Sequence, residues 1–132
     1  MKKLLNVILN SADLGHKIHL FKNDYVPVNT TLLADLVEAD YPGYAAKDAV
    51  AESAPIINGA DEAYSTTEAL DFTSDDDTDP VQRIYGVYVT FLDATATRVL
   101  LTATRFDNWQ TIALSGDKVR LTMDWYLKRY NP

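Results

Sequence analysis

Two histidines, His16 and His19, lie three residues apart in HKIH. On a helix that spacing puts both imidazoles on one face, as metal binding often needs; on a strand they point to opposite faces. The alternation in HKIHLF reads as a strand. The chain has no further histidine and no cysteine to complete a ligand set. The pair is therefore expected to be ordinary strand histidines near a sheet edge.

The acidic run Asp75-Asp76-Asp77-Thr78-Asp79 offers a second chemistry. Asp75, Asp77 and Asp79 match the first three ligand positions of a calcium loop. The glycine that should follow is Pro80, and the closing bidentate glutamate is replaced by Gly86. An EF-hand is excluded. A looser calcium site at these three carboxylates stands against the plainer reading of a solvated acidic loop. No metal or cofactor is assigned.

Covalent catalysis finds no parts. There is no cysteine, no G-x-S-x-G and no glycine-rich phosphate loop. Ser115-Gly116 reads as a hairpin turn. The expectation is a protein that is not an enzyme; a small hydrolase using the carboxylates at 75–79 is the contrary hypothesis. The formal charge of −7 disfavours nucleic acid and anionic membrane surfaces as direct partners. The apolar run in MKKLLNVILN is short and broken by Asn6, so it is not expected to be a signal peptide. No run approaches a membrane span.

The elements that must hold these residues are mostly strands. Leu4, Leu5, Ile8 and Leu9 fall at helical spacing, so residues 2–10 are expected to form a short amphipathic helix available for interaction. Strand Leu20-Phe21 runs into Lys22-Asn23-Asp24-Tyr25 and Pro27, which cannot continue a central strand. Asn29-Thr30-Thr31 is expected to cap a short helix over LLADLVEAD. Tyr44 to Ala51 is expected as a weak strand, residues 52–63 as loop, and Tyr64 to Phe72 as a strand. Val81 to Leu92 and Thr97 to Phe106 make an antiparallel hairpin around Asp93–Ala96. Trp109 to Leu114 is a further strand. Val119, Leu121, Met123, Trp125 and Leu127 share one face of a last strand, a half-buried antiparallel pattern. The 132 residues are expected to form one mainly β domain, an antiparallel β-sandwich or jelly-roll-like fold.

The segment His19 to Ala46, HLFKNDYVPVNTTLLADLVEADYPGYAA, resembles a family of small tailed-phage virion proteins. The resemblance rests on Leu20-Phe21-Lys22-Asn23-Asp24, on Val26-Pro27, on Val37-Glu38-Ala39-Asp40-Tyr41 and on Gly43-Tyr44-Ala45. It extends to the order of the whole chain: a leucine-rich start, a hairpin such as IYGVYVTFLDATATRVLLTATRFDN, then a final strand. Residues 32–35 and the acidic loop at 74–79 depart from the pattern.

The resemblance implies a virion structural protein without catalysis, assembled in the host cytoplasm and located in the virion. The first expectation is a capsid decoration or cement protein. Its partners would be the major capsid protein or other virion proteins and further copies of itself. Leu4, Leu5 and Ile8 of the expected helix and the tyrosines Tyr25, Tyr41 and Tyr44 are the candidate interaction residues. A tail, baseplate or fibre adaptor, or a sugar binder using Trp109 or the tyrosines, is the alternative.

Overall fold

The computed structural model describes residues 15–49, 56–58 and 62–128, with side chains described over 15–49 and 66–124. The expected helix at 2–10, with Leu4, Leu5 and Ile8, lies outside the described residues. Within them the protein is mainly β, every strand pairing is antiparallel, and there is no α-helix.

The largest sheet has four strands in the order β2-β1-β6-β7. These are β1 (Lys17–Phe21), β2 (Lys47–Asp48), β6 (Gln82–Leu92) and β7 (Arg98–Ile112). The other ladders involve β3 (Ile56–Asn58), β4 (Glu62–Thr66), β5 (Leu70–Thr73), β8 (Lys118–Leu121) and β9 (Asp124–Lys128). They pair in the orders β3-β4-β9 and β5-β8.

The β6–β7 hairpin is the spine. β6 is buried from Gly86 through Thr90, as befits an inner strand covered on both faces. Its turn is built by Asp93, whose Oδ1 accepts the Thr95 and Thr97 N–H groups at 2.8 and 2.9 Å. On one face Ile18, Leu20, Val87 and Val89 form a core with Phe72 of β5 and Val119 of β8. On the other, Phe21 and Tyr88 pack with Leu36.

A register irregularity between Ile84 and Gly86 reverses the alternation there. Ile84 thereby joins the first core, while Tyr85 joins the second. Gly86 is required at this step. A Cβ there would lie 2.3 Å from the Thr104 carbonyl oxygen and 2.5 Å from the Phe21 ring.

Several expected elements change. The helix over residues 32–40 is a single 3₁₀ turn, Leu33–Asp35. Residues 36–39 instead run extended beside the end of β1. Lys22 N–H donates to the Val37 carbonyl at 2.8 Å, and Ala39 N–H to the Leu20 carbonyl at 2.9 Å. Tertiary pairing overrides local helix propensity. Of the expected strand at 44–51, the described residues 44–49 pair only at Lys47–Asp48, and the expected loop at 52–63 contains β3 and the start of β4.

The separate strand at 109–114 is the continuation of β7. The last strand is broken into β8 and β9, just as the strand expected over 64–72 is broken into β4 and β5. The two breaks face each other: Thr67 N–H donates to the Met123 carbonyl, and Met123 N–H to Thr67 Oγ1, each at 2.9 Å. The expected apolar row is realised at Val119, which is buried, and at Leu121 and Met123, which pack partly buried against the core.

Candidate functional site

The polar corner after β1 organises the residues around it. Asn23 uses its side chain as a substitute backbone. Its Nδ2 donates to the Asp35 carbonyl and its Oδ1 accepts the Val37 N–H, each at 2.9 Å. Lys22 pairs with Asp40 at 2.6 Å. Asp24 pairs with Arg105 of β7, which also donates to the Tyr25 carbonyl at 3.2 Å. Tyr25 is half-buried and its hydroxyl lies 3.3 Å from Thr31 Oγ1. The expectation of a strand end holds here, but the partners are 12 to 14 residues away for Asn23 and 81 for Asp24.

Beside the corner lies a chain of polar groups that runs from the exposed Glu38 to the buried His19 and Thr90. His19 on β1 stacks on Tyr88 of β6, ring centroids 4.6 Å apart. Its Nδ1 is 2.7 Å from Glu38 Oε1, and its Nε2 is 2.8 Å from Thr90 Oγ1. A carboxylate oxygen accepts, so Nδ1–H donates to Glu38 and Nε2 is left facing the Thr90 hydroxyl. Arg98 Nη1 donates to Thr90 Oγ1 at 2.9 Å and to the Gly15 carbonyl at 2.8 Å. Tyr44 donates to Glu38 Oε1 at 2.9 Å and accepts the Leu20 N–H at 3.0 Å.

Hydroxyl, imidazole and carboxylate in this order are the parts of an acyl-transfer relay. A cleft of about 260 Å³ borders them, lined by His19, Glu38, Tyr88, Thr90, Arg98 and two leucines. Thr90 is fully buried, however, and its oxygen is held by both Arg98 and His19. Each polar group is spent on another, which suits a satisfied network that fixes β1, β6 and the 36–39 segment together.

The histidines do lie on opposite faces, since His16 stacks on Phe91, while His19 stacks on Tyr88 and hydrogen-bonds Thr90. The ladder to the edge strand β2 covers only Lys17 and Ile18, between the two histidines. Both histidines are buried, and β1 lies between β2 and β6. His16 Nδ1 has no hydrogen-bond partner among the described residues, and burial, with the Arg98 charge nearby, pushes its pKa down.

The acidic loop is exposed at Asp75, Asp76 and Asp77. Asp77 Oδ1 accepts the Ser115 N–H at 3.0 Å, and Asp76 Oδ1 accepts the Asp77 N–H at 2.8 Å. Among the described residues no group of three or more His, Cys, Asp or Glu side chains is placed to hold a metal ion. Ser115-Gly116 is a turn, with Gly116 at φ +90 and Asp117 accepting the Ala113 and Leu114 N–H groups.

The candidate interaction tyrosines are largely turned inward. Tyr41 is buried, its hydroxyl donates to the Phe72 carbonyl at 3.0 Å, and burial pushes its pKa up to about 12. Burial above all raises Tyr44 as well. Among the described residues the large exposed aromatic is Trp109, at 52%. Arg83 lies 5.3 Å over its ring, Tyr85 is 6.1 Å from it, and Arg105 is 5.1 Å over Tyr85. Sequence could name Trp109 but not this ladder, because the register irregularity is what brings Trp109 beside Arg83 and Tyr85.

Comparison of the chain with known protein families, with curated proteins and with solved structures finds no match.

Proposed function

We propose that this chain is a non-enzymatic structural component of a tailed-phage virion, foremost a decoration or cement protein that stabilises the head. Its partners in this reading are the major capsid protein or other virion proteins, and further copies of itself. It needs no cofactor, nucleic acid or membrane. A sandwich or jelly-roll-like packing of the sheets belongs to the same reading, supported by the core that joins β1 and β6 to β5 and β8.

The carrying observation is what the family-like residues do. Lys22, Asn23, Glu38, Tyr41 and Tyr44 are spent on holding residues 35–44 to the body of the protein. A motif whose members serve architecture supports a structural role better than a chemical one. Mass spectrometry of purified particles, with density for the chain in the intact particle, tests this. A capsid position supports the decoration reading, a tail position replaces it, and absence from particles refutes both.

A tail, baseplate or fibre adaptor, or a sugar binder, is the second reading. The exposed Trp109 favours it, because an open indole flanked by a guanidinium is a ready stacking platform. Binding on a glycan array that is lost in Trp109→Ala would favour this alternative.

A further inference from the structure

The described surface carries two unmatched features of opposite sign. Arg83 is exposed, stacks on Trp109 and has no carboxylate partner among the described residues. Asp75, Asp76 and Asp77 are exposed and have no cationic partner among them. Asp71 is matched by Lys118 and Arg120, and Asp24 by Arg105, whereas Asp79 at the end of the same loop and Asp107 on β7 are also exposed without a cationic partner among the described residues.

The two features are neighbours. Arg83 is opposite Thr111 in the β6–β7 register. Two residues on, Ala113 accepts the Thr78 N–H at 2.8 Å, and Ser115 donates to Asp77. The acidic loop is thus tied to the same end of the hairpin that carries Arg83.

We propose that the Arg83–Trp109 face docks the Asp75–Asp77 loop of a second copy of this chain. Because loop and face adjoin, a two-fold axis between them matches both pairs at once and closes a dimer. Charge selects the occupant. Copies with a net charge of −7 repel, so a self-contact must bring opposite signs together, as the acidic loop and the Arg83 face do. Trp, Tyr and Arg are also the residue types that concentrate binding energy at interfaces. The carboxylates bond to guanidinium groups already oriented by their stacking, so little side-chain freedom is lost on docking.

The dimer does not depend on where the protein serves. Absence from particles and failure to dimerise are therefore separate results.

Sedimentation equilibrium of the full chain, at low and at high salt, is the test. The wild type should dimerise, and salt should weaken the dimer. Arg83→Glu and Trp109→Ala should each raise the dissociation constant at least tenfold without changing the melting profile. Arg83→Glu combined with Asp76→Arg should recover most of the loss. A monomer under all conditions overturns the proposal, as does a dimer indifferent to Arg83→Glu or not rescued by the charge exchange. If oligosaccharides quench the Trp109 fluorescence of a monomer, the face is a sugar site and the proposal is also overturned.

Discussion

Glu38 accepts the Nδ1 proton of His19 at 2.7 Å, and that bond ties the extended 36–39 segment to β1. The same Glu38 oxygen accepts the Tyr44 hydroxyl. Removing the carboxylate leaves both donors without their acceptor, one of them on a buried ring. Glu38→Ala is expected to cost about 1–3 kcal/mol, the penalty for stranding such groups. Glu38→Gln, which keeps an acceptor, should cost less. Urea denaturation of the two variants makes the comparison, and equal losses would contradict the bonding scheme.

Asn23 and Asp24 are adjacent but should behave differently. Asn23 makes two bonds to the 35–37 backbone, whereas the Asp24–Arg105 pair is largely exposed on the Asp24 side. Asn23→Ala is expected to lose about 1–3 kcal/mol, and Asp24→Ala at most about 1 kcal/mol, as for other exposed ion pairs. Paired thermal melts decide this. A larger loss at Asp24 would mean the corner is held by charge and not by the amide.

Gly86 has no room for a side chain, since the Thr104 carbonyl and the Phe21 ring both crowd its Cβ position. Gly86→Ala should push β1 and β7 away from β6 and cost about 1–3 kcal/mol through overpacking. A variant as stable as wild type would show that the strands are farther apart than described.

Acid should destabilise the fold in two stages. Burial and Arg98 hold His16 below its ordinary value of 6.5, so the unfolded chain takes up that proton first. Stability from this group is present above the unfolded value and is lost as pH falls through and below it. Asp93, held down by the Thr95 hydroxyl and the Thr97 and Thr95 N–H groups, and Asp117, held down by the Leu114 and Ala113 N–H groups, lie below 3.8. Their contribution is lost only as pH falls through the carboxylate range. Denaturation midpoints between about pH 7.5 and about pH 5 should decline, and His16→Leu should flatten that decline. An unchanged slope in His16→Leu would assign the first stage to another group.

Strand periodicity made the β6–β7 hairpin legible, because its apolar and β-branched runs are long and Asp93 is a turn builder. The corner at Asn23-Asp24 was legible as an end, since Pro27 forbids a central strand. The 32–40 segment was not. Leu32, Leu33, Leu36 and Val37 do lie on one helical face, but the end of β1 offers Val37 and Ala39 backbone bonds that a short isolated helix cannot match. The ladder at Trp109 was equally hidden. It depends on a register irregularity that leaves no mark in the hydrophobic pattern. Tyr41 and Tyr44 look like interface residues by type, yet their hydroxyls have partners inside the fold.

The proposed role is that of a structural part of a virion. Quantitative mass spectrometry of density-purified particles tests it most directly. A virion component should be present at a fixed integer ratio to the major capsid protein and be retained through a salt wash. Its absence from the particles, with the chain abundant in the infected-cell lysate, would rule out a virion role.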